Sequence, residues 1–286
     1  MWGDYNNDGW PDLFVAIKND TGAQQANHLF RNNRDGTFSQ IIEGPIVTDN
    51  DYSVGETWVD YDNDGYLDLF VVNGDLSAAS NALYHNNRDG TFTRMSAQEV
   101  GSIVGDLGHF ASSTWGDYDN DGYIDAFVSA VNGEGGYLYH NDRNGGFSRV
   151  LSGGPADDKG NAFGCAWGDY DNDGFLDLFV ARGAHDKATN LLYRNNGNSN
   201  TWLKVKLVGT VSNRSAIGAT QLDWLHLRFG CFHRPEILDL DSNEYPHQPL
   251  AGVRRSGCWK RCSAVLPCSR PAALNEYSTK TLFSCI

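Results

Sequence analysis

The sequence contains no run of apolar residues that approaches the ~18 needed for a membrane-spanning helix. Its first residues, MWGDYNNDG, lack the basic and apolar regions of a secretory signal peptide. Basic residues are also scarce, because 22 Lys and Arg stand against 36 Asp and Glu, for a net charge of −14. Binding to nucleic-acid phosphates requires a basic surface. The composition therefore predicts neither a membrane span nor a nucleic-acid partner.

Proline is infrequent, with 8 residues, whereas glycine is abundant, with 32. That composition favours many short strands joined by tight turns over long helices. Charge and cysteine are also unevenly distributed. Residues 1–219 hold 30 acidic and 14 basic residues with Cys165 as their one cysteine, whereas residues 220–286 hold 6 acidic residues, 8 basic residues and five cysteines. This change predicts a domain boundary near Ala219.

A 14-residue segment occurs four times along the chain. Its copies are WGDYNNDGWPDLFV from Trp2, WVDYDNDGYLDLFV from Trp58, WGDYDNDGYIDAFV from Trp115 and WGDYDNDGFLDLFV from Trp167. A second signature follows each copy, as LFRNNRDGTF, LYHNNRDGTF, LYHNDRNGGF and LYRNNGNSNTW. The first aspartates of successive copies are 56, 57 and 52 residues apart. Periods of this length indicate a repeat architecture in which each unit packs on its neighbours.

Each repeat is predicted to form a β-sheet. The runs DLFVV and LYHNN are rich in aromatic and β-branched residues, RDG is typical of a hairpin turn, and about four strands fit into each period. Four antiparallel strands repeated at a fixed period are typical of β-propeller blades. The predicted fold class is therefore all-β, with about four blades in an incomplete ring and an irregular C-terminal tail. The one tryptophan of each repeat is expected to pack between neighbouring blades.

The repeated segment also contains an acidic loop. Counted from its first aspartate, oxygen-bearing side chains occupy positions 1, 3, 5 and 9, and glycine occupies position 6. Carboxylates ~5 Å apart repel by about 3 kcal/mol per pair at an effective dielectric constant near 20, so a cation is expected between them. The alternate spacing turns the side chains towards one point, and the glycine permits the sharp turn. Hard oxygen donors, completed by the position-7 carbonyl and water, suit Ca²⁺ better than Mg²⁺.

The EF-hand is the obvious alternative for this spacing. It shares the pattern D-x-D-x-D-G but requires a bidentate glutamate at position 12 and an exiting helix. Position 12 is a valine within a strand-like run in every copy: Val15, Val71, Val128 and Val180. The sequence therefore excludes an EF-hand at these loops.

The pattern D-Y-D-N-D-G-x-x-D-L, with its flanks repeated over residues 2 to about 200, closely resembles the FG-GAP/VCBS repeats of calcium-binding β-propellers. This class is also found in integrin α-subunits. The resemblance implies up to four Ca²⁺ ions, each held by the side chains at positions 1, 3, 5 and 9 and the main-chain carbonyl of position 7. The implied ligands are Asp4, Asn6, Asp8, Trp10 and Asp12; Asp60, Asp62, Asp64, Tyr66 and Asp68; Asp117, Asp119, Asp121, Tyr123 and Asp125; and Asp169, Asp171, Asp173, Phe175 and Asp177. Because Asn6 carries no charge, we expect the first loop to bind most weakly.

A second resemblance begins at Thr201. The segment TWLKVKLVGTVSNRSAIGA is similar to the opening of the ASPIC/UnbV domain, which follows such repeats in the cartilage acidic protein family. The predicted domains are propeller repeats at 1–200, with acidic loops at 4–12, 60–68, 117–125 and 169–177, then a truncated ASPIC/UnbV-like start at 201–219 and an unassigned tail at 220–286. We interpret the chain as a fragment whose first strand and export signal are missing.

The tail at 220–286 carries no blade signature. A small metal or disulfide module is one interpretation, but the spacing C-x3-C-x5-C fits no standard zinc knuckle. A disordered segment is another, although the tail contains several large apolar residues. Our hypothesis is that it is a frame-shifted or aberrant extension.

The predicted function is that of a non-enzymatic calcium-binding repeat protein, extracellular or on the cell surface. Its partner in adhesion or recognition is expected to be a protein or a carbohydrate. Cytosolic Ca²⁺ is too scarce to saturate loops of the ~10⁻⁴–10⁻³ M extracellular type, which disfavours an intracellular scaffold. The connections VVNGDLSAASN, SAVNGEGGY and VARGAHDKATN differ between repeats and are the candidates for a ligand-binding face.

The alternative function is a propeller-based, calcium-dependent polysaccharide lyase or hydrolase. No G-x-S-x-G or H-E-x-x-H motif is present. One slot of the second signature holds arginine or histidine, which indicates a role in the repeat: Arg31, His85, His140 and Arg194. Other histidines have no partner evident in the sequence: His28, His109 and His185. We therefore predict that the protein is not an enzyme and has no catalytic residues.

Overall fold

A computed structural model describes residues 1–18, 25–74, 77–183 and 189–200, together with two short strands, Val205–Val208 and Leu238–Asp241. The chain divides into two compact units, Met1–Asn196 and Gly197–Ile286. The regular structure described in the first unit is almost entirely β-strand. Within the described ranges, no helix has the length and apolarity that crossing a membrane requires.

The described strands of the first unit follow the four repeats. Repeat 1 contains β1 (Trp2–Gly3), β2 (Asp12–Val15), β3 (Gln25–Ala26), β4 (His28–Asn32), β5 (Phe38–Ile41) and β6 (Asn50–Asp51). Repeat 2 contains β7 (Ser53–Val59), β8 (Asp68–Asn73), β9 (Ala82–Asn86) and β10 (Phe92–Arg94). Repeat 3 contains β11 (Phe110–Gly116), β12 (Asp125–Ala130), β13 (Gly135–Asn141) and β14 (Phe147–Val150), and repeat 4 contains β15 (Ala162–Gly168), β16 (Asp177–Arg182) and β17 (Leu191–Tyr193).

Each repeat forms its own antiparallel sheet, which we call a blade. Blade 1 has the order β1-β2-β4-β5, blade 2 β7-β8-β9-β10, blade 3 β11-β12-β13-β14 and, within the described residues, blade 4 β15-β16-β17. Strands β3 and β6 form a separate antiparallel pair. The predicted all-β, blade-like fold is thereby confirmed, with four strands in each of the first three blades.

The blades share one register. The repeat tryptophan pairs with the residue after the ninth loop position, as Trp58 does with Leu69 and Trp115 with Ala126. The longer first strands also have an irregularity near their start, between Ser53 and Gly55 in blade 2 and at the corresponding places in blades 3 and 4. Equal register places equivalent side chains on equivalent faces, because successive side chains alternate across a strand.

The tight turns depend on left-handed backbone conformations. Glycine at loop position 6 has φ between 85° and 92° in all four repeats, and the hairpin glycines Gly36, Gly90 and Gly145 have φ between 85° and 88°. The arginine two residues before each of these hairpin glycines is also left-handed, with φ between 62° and 66°. The glycines adopt this conformation without the steric cost that a Cβ imposes.

Short helical segments connect some of the blades. They are α1 (Pro45–Thr48), α2 (Ala97–Val100), α3 (Ser102–Gly105) and a 3₁₀ turn at Gly154–Ala156. Ser96 and Glu99 form a capping box at the start of α2, in which each side chain satisfies a main-chain N–H of the other. The buried Ile103 of α3 joins the core between blades 2 and 3.

The apolar core lies between successive blades. Trp58 of blade 2 stacks against Tyr5 of repeat 1 with ring centroids 6.1 Å apart. Trp115 makes an edge contact with Phe70 at 5.1 Å, and Trp167 stacks on Tyr118 at 5.9 Å. The predicted packing of tryptophan between blades is confirmed at these three positions. Aromatic pairs of this geometry stabilise by about 0.5–1.5 kcal/mol beyond their buried area.

The second unit contains one described sheet. In it, β18 (Val205–Val208) pairs in parallel with β19 (Leu238–Asp241). The remainder of the predicted ASPIC/UnbV-like start at 201–219 and of the unassigned tail at 220–286 lies outside the described residues. The interpretation of that tail stays a prediction from sequence.

Candidate metal sites in the acidic loops

Each acidic loop joins the first strand of a blade to the second. We number them loop 1 (4–12), loop 2 (60–68), loop 3 (117–125) and loop 4 (169–177). In loop 2, position 1 follows the end of β7 and position 9 begins β8. The position-9 aspartates are completely or almost completely buried: Asp12, Asp68, Asp125 and Asp177. The blade therefore fixes both ends of each loop.

Hydrogen bonds curl each loop around its own carboxylates. In loop 2, the carboxylate of Asp60 accepts hydrogen bonds from the main-chain N–H groups of Asp64 and Gly65, each with a donor–acceptor distance of 2.9 Å. Asp62 accepts the same Asp64 N–H at 3.2 Å, and the Oδ1 of Asp64 accepts the N–H of Tyr66 at 2.8 Å. Bonds from positions 6 and 7 to positions 1 and 5 recur in the other three loops. Alternate side chains consequently point to the inside of the turn.

This curl brings the predicted donors together in three loops. One oxygen from each member of the following sets lies within 4.8 Å of the others: Asp60, Asp62 and Asp68; Asp117, Asp119 and Asp121; Asp169, Asp171 and Asp177. In loop 1, where Asn6 replaces an aspartate, the described side chains form no such three-carboxylate set. The predicted ranking of loop 1 as the weakest site is consistent with this difference and stays a prediction.

The position-9 aspartate is the most constrained donor. Asp68 accepts the N–H of Asn86 at 2.8 Å and that of Tyr61 at 3.3 Å, and Asp125 accepts the N–H groups of Asn141 and Tyr118. Burial raises the pKa of both Asp68 and Asp125 to about 8, against the lowering effect of those N–H groups. A carboxylate that remains buried among other carboxylates requires compensation by a cation or a proton.

The donor chemistry fits a hard divalent cation. The predicted side-chain ligands in loops 2, 3 and 4 are all carboxylates, which together with main-chain carbonyls suit Ca²⁺. In loop 4, the Oδ1 of Asp169 is buried without a hydrogen-bond partner among the described residues. Buried oxygens normally have a partner, so this atom is one that a bound cation could satisfy. The position-7 residues Trp10, Tyr66, Tyr123 and Phe175 would contribute only their main-chain carbonyls.

Four arginines that the sequence analysis did not assign to the loops contact position 5. Arg88 bonds the Oδ2 of Asp64 at 2.7 Å, and Arg143 bonds that of Asp121 at 2.7 Å. The other two pairs are Arg34 with Asp8, and Arg194 with Asp171 and Asp173. The guanidinium groups are more than half exposed, so these ion pairs are worth little to stability. They still place one positive charge beside each acidic loop.

The repeat histidines also reach the loops. His85 Nδ1 lies 3.2 Å from Asp68 Oδ1 and 3.4 Å from Asp62 Oδ2. His140 Nδ1 lies 3.1 Å from Asp125 Oδ1. The prediction that these histidines serve the repeat agrees with their position, but their contact with position 9 was not anticipated. The sequence feature that could have indicated this contact is the fixed place of each histidine, one residue before the asparagine whose main-chain N–H binds the same aspartate.

Successive loops are bonded to each other. The side-chain amide of Asn63, at position 4 of loop 2, donates a hydrogen bond to the main-chain carbonyl of Gly122 in loop 3, at a distance of 3.0 Å. The same bond joins Asn7 to Gly65 at 2.9 Å and Asn120 to Gly174 at 3.0 Å. Every copy has asparagine at position 4, and no role for it was predicted from the sequence. The structure thus forms a line of linked loops rather than four isolated ones.

A comparison with protein families identifies these units. Three overlapping segments, residues 4–71, 60–128 and 117–180, match the FG-GAP-like repeat, and together they cover more than half of the chain. The chain belongs to the FG-GAP-like repeat family. Each matched segment extends from one acidic loop to the second strand of the following blade, so the FG-GAP-like unit includes both partners of a loop-to-loop bond.

Comparisons with individual proteins add little to this assignment. No curated protein matches the chain. A solved structure of a Photorhabdus luminescens Tc holotoxin pore is similar at 16% sequence identity with a TM-score of 0.40, over 67% of this chain and 9% of that one. The chain therefore spans less than a tenth of that relative. Similarity at this level carries no argument about the FG-GAP-like blades.

A separate polar cluster lies at the end of blade 3 opposite to loop 3. His109 precedes β11 and Glu134 precedes β13, and their Nδ1 and Oε1 atoms are 2.6 Å apart. The hydroxyl of Tyr137 donates to Glu134 Oε2 at 3.3 Å, and the Arg149 guanidinium lies 3.5 Å from the Tyr137 ring centroid. Partial burial alone would raise the pKa of Glu134, but hydrogen bonds from His109 lower it overall. His109 thus has a partner that its sequence context did not reveal.

Proposed function

We propose that this chain is a non-enzymatic calcium-binding repeat protein in which Ca²⁺ stabilises the loops between the first two strands of each blade. The observation that carries the proposal is the buried aspartate at position 9, which closes a set of carboxylates in each of loops 2 and 4. Asp68, for example, is fully buried beside Asp60 and Asp62. Several carboxylates this close are stable as anions only with a cation between them.

Calcium is the cation that this donor set favours. The ligands would be positions 1, 3, 5 and 9 through their side chains and position 7 through its carbonyl, giving up to four ions. Mg²⁺ prefers a small octahedral shell with several waters, and softer metals prefer nitrogen or sulfur donors. When bound, Ca²⁺ would supply positive charge and cross-linking within the loop, and no chemical step.

The location and use of the protein follow from this role. Extracellular Ca²⁺ is abundant enough for exposed loops of modest affinity, so we propose an extracellular or cell-surface protein. We further propose that it acts in adhesion or in recognition of a protein or a carbohydrate, through the connections that differ between repeats. Residues 131–135, part of one such connection, lie at the end of blade 3 opposite to loop 3. The continuation into an ASPIC/UnbV domain belongs to the same proposal and rests on sequence resemblance.

Calorimetric titration of the full chain tests the calcium proposal. We expect Ca²⁺ to bind and to raise the melting temperature over that in EDTA, because the folded loops bind it and the unfolded chain does not. Asp125→Asn, which retains an acceptor for the Asn141 N–H, should remove one binding site. Asp121→Ala should likewise affect loop 3 alone. Asp89→Asn, in an exposed hairpin turn, is the matched control and should leave binding unchanged. Equal melting temperatures in EDTA and millimolar Ca²⁺ would refute the proposal.

The cluster of His109, Glu134 and Tyr137 supports a second candidate, a polysaccharide lyase or hydrolase. A hydrogen-bonded histidine and carboxylate beside a tyrosine provide groups able to accept and donate protons. The test is turnover of acidic polysaccharides by the chain, by His109→Gln and by an unrelated surface variant, Asp89→Asn. Activity that only His109→Gln abolishes would establish the enzyme, and its absence from all three would favour the non-enzymatic role.

A further inference from the structure

One position of the second signature differs in donor chemistry between the repeats. It holds arginine in repeats 1 and 4, as Arg31 and Arg194, and histidine in repeats 2 and 3, as His85 and His140. The two histidines lie on the third strand of their blades, beside the acidic loop. Arginine has a permanent positive charge and no lone pair to donate, whereas neutral histidine has a ring nitrogen that can bind a metal ion.

In repeat 2, this ring nitrogen lies among carboxylates. His85 Nδ1 is 3.2 Å from Asp68 Oδ1 and 3.4 Å from Asp62 Oδ2. An oxygen of Asp64 joins Asp62 and His85 in a set whose donor atoms all lie within 4.8 Å of one another. His85 Nδ1 is itself buried and makes no hydrogen bond within the described residues. Because two carboxylate oxygens are close to it without hydrogen-bond geometry, Nδ1 is an atom that a shared cation could satisfy.

Repeat 3 has the same arrangement. His140 Nδ1 lies 3.1 Å from Asp125 Oδ1 and 3.7 Å from Asp119 Oδ2, and the three side chains form a second set within 4.8 Å. The position-2 tyrosine of each repeat makes an edge contact with the imidazole, at centroid distances of 6.1 Å in repeat 2 and 6.4 Å in repeat 3. The blade therefore orients both imidazole rings in the same way.

The spacing of these donors suits a transition-metal dication. Zn²⁺ binds imidazole nitrogen and carboxylate oxygen at about 2.0–2.2 Å, so two ligands of a tetrahedral ion lie about 3.3–3.6 Å apart. The four histidine-to-carboxylate distances in repeats 2 and 3 range from 3.1 to 3.7 Å. Imidazole is a preferred donor for Zn²⁺ and its neighbours in the first transition series, whereas Ca²⁺ binds oxygen. One histidine with two carboxylates is thus a different donor set from the all-oxygen set of the calcium proposal.

The donors of repeat 2 can be reached from outside the blade. Asp62 and His85 line a cavity of about 470 Å³, to which Arg143 and Asn144 of repeat 3 also contribute. The His85 side chain is 26% exposed. An ion could therefore enter without separating the blades.

We propose that loops 2 and 3 each bind Zn²⁺ through one histidine and two carboxylates, with water completing the coordination shell. The ligand sets are His85, Asp62 and Asp68; and His140, Asp119 and Asp125. Since these carboxylates are also predicted calcium ligands, Zn²⁺ and Ca²⁺ compete at loops 2 and 3 but not at loops 1 and 4, where arginine replaces the histidine. The zinc sites do not require that calcium binds.

Zinc titration of the full chain in the absence of calcium tests the proposal. Thiols are first blocked with N-ethylmaleimide, because residues 220–286 contain five cysteines and thiolates bind Zn²⁺. Calorimetry should show two sites. His85→Arg and His140→Arg should each weaken one of them at least tenfold, and both variants should fold, because repeats 1 and 4 have arginine at this position.

Two further variants separate the loss of the nitrogen donor from other effects. His85→Gln introduces no charge and should weaken zinc binding as His85→Arg does. His28→Arg replaces an exposed histidine that belongs to no such set among the described residues, and it should leave both zinc sites unchanged. In a chain with isotope-labelled histidine, Zn²⁺ should shift the Nδ1 resonances of His85 and His140 in nuclear magnetic resonance spectra, but not that of His28.

Calcium titration of the same variants distinguishes this proposal from the calcium proposal. His85→Gln should retain every calcium site, because imidazole is not a calcium ligand, and added Zn²⁺ should remove two calcium sites from the unaltered chain. Zinc binding that both arginine variants leave unchanged would overturn the zinc proposal whatever the calcium result. A blocked chain that binds no Zn²⁺ would also refute it, and the histidines would then be only ion-pair partners of the aspartates. Equal loss of zinc and calcium binding in His85→Gln would contradict it too, because the histidine would then support the loop rather than bind the ion.

Discussion

The side-chain amide of Asn141 in repeat 3 donates a hydrogen bond to the main-chain carbonyl of Tyr61 in loop 2, at a distance of 2.9 Å. The same amide donates to Ile124 in loop 3 at 3.1 Å, and the N–H of Asn141 donates to Asp125. One buried asparagine thereby connects two successive acidic loops. Equivalent asparagines do so in repeats 2 and 4: Asn86 and Asn195. A candidate calcium site is therefore supported by the next blade along as well as by its own.

Replacing Asn141 should destabilise the blades and weaken calcium binding in two loops. We expect Asn141→Ala to lower the free energy of unfolding by about 1–3 kcal/mol, because it leaves buried carbonyls without a donor. Ca²⁺ affinity should fall at both loops, because the side-chain amide binds the carbonyls of Tyr61 in loop 2 and Ile124 in loop 3, whereas the main-chain N–H that Asp125 accepts is retained. Denaturant unfolding and calorimetric titration measure the two effects.

The matched control for this prediction is Asn87→Ala. The Asn87 amide bonds Thr91 within an exposed hairpin turn, so its loss should change stability by less than ~0.5 kcal/mol. Equal destabilisation by the two variants would show that the bond between loops does not contribute.

The blades and loops were predictable because their signals are local and recur. Glycine at position 6, the alternation of acidic residues and the valine at position 12 each specify conformation within a few residues of themselves. Four copies in one chain separate such signals from chance. The burial of position 9 was not predicted, although Asp68 stands directly at the start of an apolar strand.

The contacts between repeats were not predictable in the same way. Asn7 and Gly65 are 58 residues apart, and Asn86 and Tyr5 are 81 apart, so neither pair has any local signature. A recurring asparagine shows that the repeat requires it but not which atom it binds. The partner of His109, which is Glu134, lies in a connection that differs between repeats, where no copy supplies a comparison. Register and packing determine these pairs, and only the folded chain reveals them.

Calcium should stabilise the protein more at pH 8 than at pH 5. Burial raises the pKa of Asp68 and Asp125 to about 8 from an ordinary value of 3.8. A raised pKa means that the folded, metal-free protein favours the protonated acid. These groups therefore stabilise the fold at low pH, and that contribution is lost as the pH rises from about 4 through 8.

Calcium offsets this loss because it binds the deprotonated carboxylates, displacing protons where they are bound. The gain in melting temperature on adding Ca²⁺ should at pH 5 be less than half of that at pH 8. Asp125→Asn, which cannot titrate, should reduce the pH dependence in EDTA. Differential scanning calorimetry at both pH values, with and without EDTA, provides the measurement. If the rise in melting temperature on adding Ca²⁺ were the same at both pH values, these two aspartates would not be ligands of the ion.

Neutralising an arginine beside a loop should strengthen calcium binding there. Arg143 holds Asp121 Oδ2 at 2.7 Å, so its guanidinium both repels an incoming cation and occupies a ligand oxygen. We expect Arg143→Gln to raise the Ca²⁺ affinity of loop 3 by roughly two- to fivefold at low salt, with less effect at high salt because of screening. Stability should change by less than ~1 kcal/mol, since the arginine is mostly exposed.

Isothermal titration at two salt concentrations measures this change. Arg149→Gln provides a control in the same blade, because that arginine lies beside Tyr137 and Asp106, away from loop 3. Weaker calcium binding after Arg143→Gln would instead indicate that the arginine orients Asp121 as a ligand.

The repeat tryptophans should differ sharply in their contribution to stability, although their sequence contexts are almost identical. Trp115 packs against Phe70 of the preceding blade and Phe147 of its own, whereas Trp2 contacts Phe38 alone among the ring pairs and is mostly exposed. We expect Trp115→Ala to cost about 2–4 kcal/mol, towards the lower part of the range for truncated core aromatics because the ring is not fully buried. Trp2→Ala should cost less than ~1 kcal/mol, because little apolar area leaves a buried environment. Urea unfolding compares the two variants directly. Similar losses of stability would mean that the interface between blades 2 and 3 does not hold the fold together as its packing indicates.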